Sequence, residues 1–319
     1  MRSPLVRRGT NPPCTPLHLA RALPLCLALA ASCAELPPHA PAIEGLPKDD
    51  RSAPFSAVWI GHATVLMRFG KTTLLADPNL ADHLLFLSRL TRPSVRVDQL
   101  PPIDVVILSH MHMDHFDAPT VRALGVRPAV IYPREGAVYA DEILQDDQRP
   151  LAEWQSTKLD GLTITAVPAR HQGGRYGLDF LWNHAFTGYV IEGAGKRIYF
   201  AGDTGWDDQI FAEIGKRFPG IDLAFIPIAP ARGDSSDTRD RWGHVGPHLA
   251  LRILAAVGAK AMVPIHYEAF FSTGSHMGDA RRAMMAAAAD AHESARVFAL
   301  GEGERVVLPF EGEPRVLGN

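Results

Sequence analysis

His110-Met111-His112-Met113-Asp114-His115 places three imidazoles and a carboxylate within six residues, directly after the apolar run Val105-Val106-Ile107-Leu108. That run reads as a buried strand. The polar residues therefore stand where a strand leaves the core and becomes a loop. Neutral imidazole and carboxylate are good ligands for first-row divalent metals, and such tight spacing lets several reach one ion. Three other segments have the same form, which a chance cluster of surface histidines would not share. Leu162 to Val167 is followed by Pro168-Ala169-Arg170-His171, Arg197 to Ala201 runs into Gly202-Asp203-Thr204-Gly205, and Ala261 to Ile265 runs into His266. Each β-prone run ends in a His or an Asp. The exits of neighbouring strands converge at one edge of a sheet, where a rigid scaffold holds ligands drawn from distant parts of the chain.

These residues carry a family resemblance. His110-x-His112-x-Asp114-His115, His171, Asp203 and His266 resemble the metal ligands of the metallo-β-lactamase fold superfamily. Trp59-Ile60-Gly61-His62-Ala63-Thr64, Asp77-Pro78, Pro168-Ala169-Arg170-His171, Ala201-Gly202-Asp203-Thr204-Gly205 and Ile265-His266-Tyr267 narrow it to the bacterial relatives of N-acylphosphatidylethanolamine-hydrolysing phospholipase D. The resemblance covers about residues 55 to 310. It implies an α/β fold, a four-layer αββα sandwich, and a metal-dependent hydrolase. It says less about substrate, because one fold hosts many chemistries. The chain departs from the subgroup at Gly246-Pro247-His248, where an acidic or amide residue usually precedes the proline, and at Gln172, where an aromatic is common. Both positions are expected near the pocket mouth.

By the same resemblance, His110, His112 and His171 hold one divalent metal, Asp114, His115 and His266 hold a second, and Asp203 bridges them. Zinc is the expected metal, with iron or manganese as alternatives. Asp114 is either a ligand or the acceptor of a proton from the attacking water. Asp77 is expected to accept the second N–H of a ligating imidazole, or else to be a turn residue before Pro78. His62 belongs to that same outer ring or closes the Trp59 strand. Resemblance makes His244 a substrate-phosphate contact or leaving-group acid; taken alone, it suits equally a hydrogen bond at the start of the next helix. His184 and His276 read as surface or loop residues.

The chain has 319 residues, 46% hydrophobic and 21% charged, which is ordinary for a globular protein. Its first 33 residues differ in kind. Arg2, Arg7, Arg8 and Arg21 precede an apolar stretch from Ala22 to Ala31, and no acidic residue occurs before Cys33. This pattern reads as a secretory signal, with an apolar stretch too short to span a bilayer comfortably. Ala30-Ala31-Ser32-Cys33 also resembles a lipobox, in which the cysteine becomes a lipidated first residue. The expected location is the periplasm or the outer membrane, with membrane association through the N-terminus. All three cysteines, Cys14, Cys26 and Cys33, lie in this leader. The body therefore has neither disulfides nor thiolate ligands. The net charge is −3, and losing the leader's four arginines leaves the body near about −7. Such a body lacks the basic face that a nucleic-acid partner requires. The expected partner is a small-molecule or lipid substrate.

Residues 34–54, rich in Pro and Ala, read as a tether, and 55–319 as one metallo-hydrolase domain. Short strands are expected at Ala57 to Ile60, Thr64 to Phe69 and Thr72 to Ala76, with Gly70-Lys71 as a hairpin turn. Helices are expected at Pro119 to Leu124 and Pro247 to Val257, each with an early proline and a closing glycine, at Trp206 to Phe218, with Ile210, Phe211 and Ile214 at helical spacing, and at the Ala- and Met-rich Asp279 to His292. Residues 81–92 are apolar and read as a short helix or loop beside the site, or as a core-packed connector. Three functions compete. A phosphodiesterase acting on envelope lipid leads, and a lactonase or other ester hydrolase is the alternative. A non-catalytic metal-binding protein would be favoured by loss of Asp114 or Asp203, and both are present.

Overall fold

Alternate residues of one strand belong to two different apolar cores, and this sets the layering. In β1 (Phe55–Gly61), Phe55, Ala57 and Trp59 face one core while Val58 and Ile60 face another. A strand's side chains alternate between its two faces, so this sheet is covered on both sides. The computed structural model describes residues 46–318, apart from 86, 126–127, 144, 177–178, 180–182, 230–242 and 271–276. The leader with Cys33, the first part of the expected tether, and His276 lie outside the described residues.

The first half of the chain continues with β2 (Thr64–Phe69), β3 (Thr72–Ala76), β4 (His83–Leu84), β5 (Leu87–Ser88), β6 (Val105–Ile107), α1 (Ala118–Arg122), β7 (Ala129–Pro133), α2 (Ala140–Ile143) and β8 (Gln148–Leu151). The second half has β9 (Ser156–Leu159), β10 (Leu162–Val167), β11 (Gly188–Gly193), β12 (Lys196–Phe200), α3 (Asp208–Arg217), β13 (Leu223–Pro227), α4 (Pro247–Ala256), β14 (Met262–Ile265) and α5 (Asp279–Asp290). The chain then returns to the first sheet through β15 (Arg305–Leu308) and β16 (Arg315–Leu317). An eight-stranded sheet has the order β16-β15-β1-β2-β3-β6-β7-β8, and a six-stranded sheet the order β14-β13-β12-β11-β10-β9.

The inward residues of both sheets share one core: Trp59, Val65, Val105 and Ile107 from the first, and Ile164, Tyr189 and Phe225 from the second. Val106, Leu108 and Leu75 turn the other way, onto Phe116, Val121 and Ile143 around α1 and α2. Phe211 and Ile214 of α3, Leu249 and Ile253 of α4, and Met284 of α5 cover the second sheet. The result is the expected αββα sandwich.

Two segments differ from the sequence reading. Among the described residues of 81–92, β4 and β5 pair as a short antiparallel hairpin, where a short helix or a loop was expected. Residues 46–54, the end of the expected tether, dock on the body. Asp49 meets Arg68 at 2.5 Å and Arg305 at 3.1 Å, and the Pro47 carbonyl accepts from Arg305 at 3.1 Å.

Strand direction places the site. β3 and β6 run parallel, as do β12, β13 and β14. Val167 at the end of β10 pairs with Gly188, beside the end of β12. The exits of β3, β6, β10, β12 and β14 therefore deliver Asp77, His110 to His115, His171, Asp203 and His266 to one edge of the sandwich.

Candidate metal centre

The six-residue stretch after β6 is drawn into shape by one buried carboxylate. Asp77 is fully buried, and its oxygens accept the Ser109 backbone N–H at 2.7 Å and the Ser109 hydroxyl at 2.6 Å. His115 Nδ1 lies 2.7 Å from Asp77 Oδ2. A carboxylate accepts from Nδ1–H, so His115 carries a proton there and Nε2, turned toward the site, is the atom left to ligate a cation. Ser109 Oγ also lies 2.9 Å from His110 Nδ1 and extends the same network to a second imidazole. Asp77 thus bonds the ring nitrogen of His115 that faces away from the other ligand atoms. It holds a left-handed φ of 41°, which Asp tolerates better than most residues.

Two sets of three ligand atoms converge. In the first, His112 Nδ1 lies 2.9 Å from His110 Nε2 and 3.3 Å from His171 Nε2. In the second, Asp114 Oδ2 lies 3.6 Å from both His115 Nε2 and His266 Nε2. Asp203 Oδ2 stands between the sets. It is 4.0 Å from His110 and 3.8 Å from His171 on one side, and 3.2 Å from His115 and 2.9 Å from His266 on the other. All seven expected ligand residues are therefore brought together.

The backbone gives way to achieve this. His62 and His266 hold positive φ values of 53° and 62°, and the His266 N–H donates to the His62 carbonyl at 2.8 Å. Such conformations in non-glycine residues cost free energy and persist where surrounding structure enforces them. A Cβ on Gly202, just before Asp203, would fall 2.4 Å from Ser109 Cβ, so only glycine lets these two strand exits approach. His62 lies beside the second set, close enough to form one candidate ligand group with Asp114, His115 and His266. Its Nε2 is 3.0 Å from Asp114 Oδ2, and its ring packs 4.2 Å from that of His266 and 5.1 Å from that of Phe270.

His244 faces the centre. Its Nδ1 is 3.5 Å from Asp203 Oδ2, and its ring lies 4.9 Å from His171 and 5.2 Å from His266. The following helix α4 is capped by Gly246 without a side-chain bond, so His244 does not serve as its cap. His184 is exposed, as expected. Sequence reasoning missed Ser109, which links Asp77 to two imidazoles, and Gly243, whose carbonyl lies 3.0 Å from His171 Nδ1. It also missed Asn79, whose amide holds the Met113 carbonyl at 2.7 Å. Neither a serine nor a carbonyl has a distinctive pattern; the sole signal was the adjacency of Ser109 to His110.

The charge balance is that of a cation site. Burial disfavours ionising Asp203 and Asp114, yet the surrounding imidazoles hold both carboxyls well below the usual carboxylate range. Burial lowers His266, but Asp203 and Asp114 override it and raise the imidazole to about 9. His110 and His171, deeper among other imidazoles, are lowered by burial, His171 to about 3. His115 Nε2, His266 Nε2 and Asp203 Oδ1 are buried without a hydrogen-bond partner. Buried polar atoms are normally satisfied. Here the unsatisfied atoms are metal-ligating types aimed at common points, and the residues fit two divalent cations.

Fold and site together define a chain of metallo-β-lactamase fold whose imidazoles and carboxylates gather between two sheet edges in groups that could hold divalent metals. The chain belongs to the β-lactamase superfamily domain family, whose model matches residues 72–267. Within that superfamily it is related to the N-acylphosphatidylethanolamine-hydrolysing phospholipases D. It is 30% identical to N-acyl-phosphatidylethanolamine-hydrolyzing phospholipase D 1 of Caenorhabditis elegans, over 66% of this chain and 63% of that protein. It is 31% identical to a metal-dependent hydrolase of Thermus thermophilus, over 66% of this chain and 83% of that one. The chain spans 65% of the length of the mycobacterial relatives it matches. Among solved structures, a metallo hydrolase of the archaeon Ignicoccus hospitalis matches with a TM-score of 0.60 at 20% identity, over 81% of this chain and 99% of that one. That likeness bears on the fold.

Proposed function

We propose that this chain is a zinc-dependent phosphodiesterase of phospholipase D type, acting on envelope lipids. The observation that carries the reading is the position of Asp203 Oδ2 between two ligand sets, with His244 Nδ1 3.5 Å away. The kinship to the worm phospholipase D supports phosphorus as the attacked atom. A donor set of imidazole and carboxylate without thiolate suits zinc and admits iron or manganese.

A pair of divalent ions supplies an acidified water and stabilises negative charge developing on the attacked centre. The chain's own residues do the rest. The Asp77–His115 bond keeps the imidazole in one tautomer and orientation. His62 fixes Asp114 through its 3.0 Å contact. His244 faces the centre from outside both ligand sets, and we assign it to a phosphate oxygen of the substrate. In the reaction, the water oxygen bonds to phosphorus, the P–O bond to the leaving alcohol breaks, and the proton released by the water ends on that alcohol. The N-terminal leader would bring this chemistry to the envelope, with lipidated Cys33 as anchor.

The test compares substrates. The metal-replete protein should hydrolyse bis(p-nitrophenyl) phosphate, and N-acylphosphatidylethanolamine in mixed micelles, faster than simple lactones. Efficient lactone turnover with no phosphodiester cleavage would replace this reading with the ester-hydrolase alternative.

A further inference from the structure

Arg175 belongs to neither ligand set, yet it ties together the two loops that carry the first one. It follows His171 by four residues, and its side chain is 7% exposed. Its Nη1 donates to the Met111 carbonyl at 3.0 Å and to the Phe116 carbonyl at 2.9 Å. Those two carbonyls bracket His112, Asp114 and His115. Its Nε donates to Glu142 Oε2 at 2.7 Å, and its Cζ lies 4.4 Å from the centre of the Phe116 ring. The backbone is held as well: the Arg175 and Tyr176 N–H groups donate to Asp179 at 2.8 and 3.0 Å. The segment around it is packed closely, since a Cβ on Gly173 would fall 2.2 Å from the Asn183 carbonyl oxygen.

The two loops come from different sheets, one after β6 and the other after β10. The 3.3 Å separation of His112 Nδ1 and His171 Nε2 therefore depends on how the sheets' edges are joined. The Arg175 guanidinium bonds directly across this junction, from the loop after β10 to two carbonyls of the loop after β6. A guanidinium presents several donors in a rigid fork, which an ammonium cannot reproduce. We propose that Arg175 is a positioning residue that sets the spacing between His171 and the His110/His112 pair, and with it the affinity of that set for its divalent metal. The proposal rests on the reading of these residues as a metal centre.

The test uses Co2+ as the probe. Co2+-loaded wild type, Arg175→Ala and Arg175→Lys are titrated with a chelator, and retained metal per chain and the visible absorption are read. Partners outside the ligands typically change metal affinity by roughly 10–100-fold. Arg175→Ala should release an ion at a correspondingly lower chelator concentration, with Arg175→Lys failing to restore it. Urea unfolding of each loaded protein is measured alongside. A merely structural arginine would lower the urea midpoint and leave the chelator curve of the folded protein unchanged, and that result overturns the proposal. If Arg175→Ala does not fold, Arg175→Lys decides by the same criterion. A wild type that retains no Co2+ refutes the metal centre itself, which distinguishes the two failures.

Discussion

Replacing Asp77 by asparagine should disable the site without touching a metal ligand. Asn has nearly the same shape and can still accept the Ser109 N–H, now 2.7 Å from Oδ1, through its amide oxygen. The amide nitrogen must then occupy the place of Oδ2, which faces His115 Nδ1 at 2.7 Å. Two N–H donors cannot share that contact. Either the bond is lost, or His115 moves its proton to Nε2, the atom pointed at Asp203 from 3.2 Å. A protonated Nε2 cannot ligate. The expected loss of metal affinity is roughly 10–100-fold or more. Oδ2 also accepts the Ser109 hydroxyl at 2.6 Å, so two buried bonds are disturbed and stability should fall by about 1–3 kcal/mol for each. Asp77→Ala is harsher, because it orphans the Ser109 N–H, the Ser109 hydroxyl and His115 together. At about 1–3 kcal/mol for each buried donor, it approaches the whole stability of a typical domain. The assay is isothermal titration of zinc into chelator-buffered Asp77→Asn, with urea unfolding alongside. Wild-type zinc affinity in Asp77→Asn would refute the tautomer argument.

Other substitutions probe other links. Asp203→Ala removes the one oxygen near both sets and should abolish turnover while leaving the circular dichroism spectrum intact; near-normal kinetics in a metal-replete mutant would sink the assignment. His244→Ala should lower kcat/KM for bis(p-nitrophenyl) phosphate about 10–100-fold, the value of one hydrogen bond to a charged group, with metal content unchanged; a loss of metal instead would make His244 a ligand. Glu302 is partly buried, and desolvation raises its carboxyl from 4.5 to about 7 despite the Thr91 hydroxyl bond. The folded chain then holds this proton more tightly than the unfolded one, so stability falls as pH rises from 4.5 to about 7. The full penalty is about 3 kcal/mol, and Glu302→Gln should gain on wild type by that amount in urea midpoints between pH 5 and 8; a pH-independent gap would contradict the burial argument. Cys33→Ala should release the protein from membranes or leave it unprocessed, with hydrolysis by any soluble form unchanged. Intact mass of membrane-extracted wild type showing an unmodified N-terminus beyond Cys33 would replace the lipid anchor with a plain signal.

The candidate site residues were legible because each of their strands ends in a His or an Asp, while the division into two ligand sets came from the family resemblance. Helices with strong punctuation were legible too: α4 runs Pro247–Ala256 against an expected Pro247 to Val257. α3 starts later than expected because the Asp207 side chain accepts from the Gln209 and Ile210 N–H groups and caps it there, leaving Trp206 outside to stack on Phe211. The polar edge strand β8, Gln148-Arg149-Pro150-Leu151, has no alternation to read, and its pairing with β7 is a tertiary fact. β15 joins β1 across most of the chain, a contact that no local pattern encodes. Arg89 shows the limit most clearly. In sequence it is a charged residue in an insertion, yet it is 1% exposed, packs 4.7 Å over the Phe270 ring and bonds the Asn79 carbonyl at 2.8 Å. Burial of a cation depends on what closes over it, and so did the roles of Arg175 and Ser109.

The central claim is that two metals share this edge of the sandwich, bridged by Asp203. Anomalous diffraction at the zinc edge from crystals of the purified, metal-replete protein tests it most directly. The account predicts two peaks about 3.5–4 Å apart, one among His110, His112 and His171, the other among Asp114, His115 and His266, with the Asp203 carboxylate between them. A single peak, or a second peak outside these residues, would contradict it.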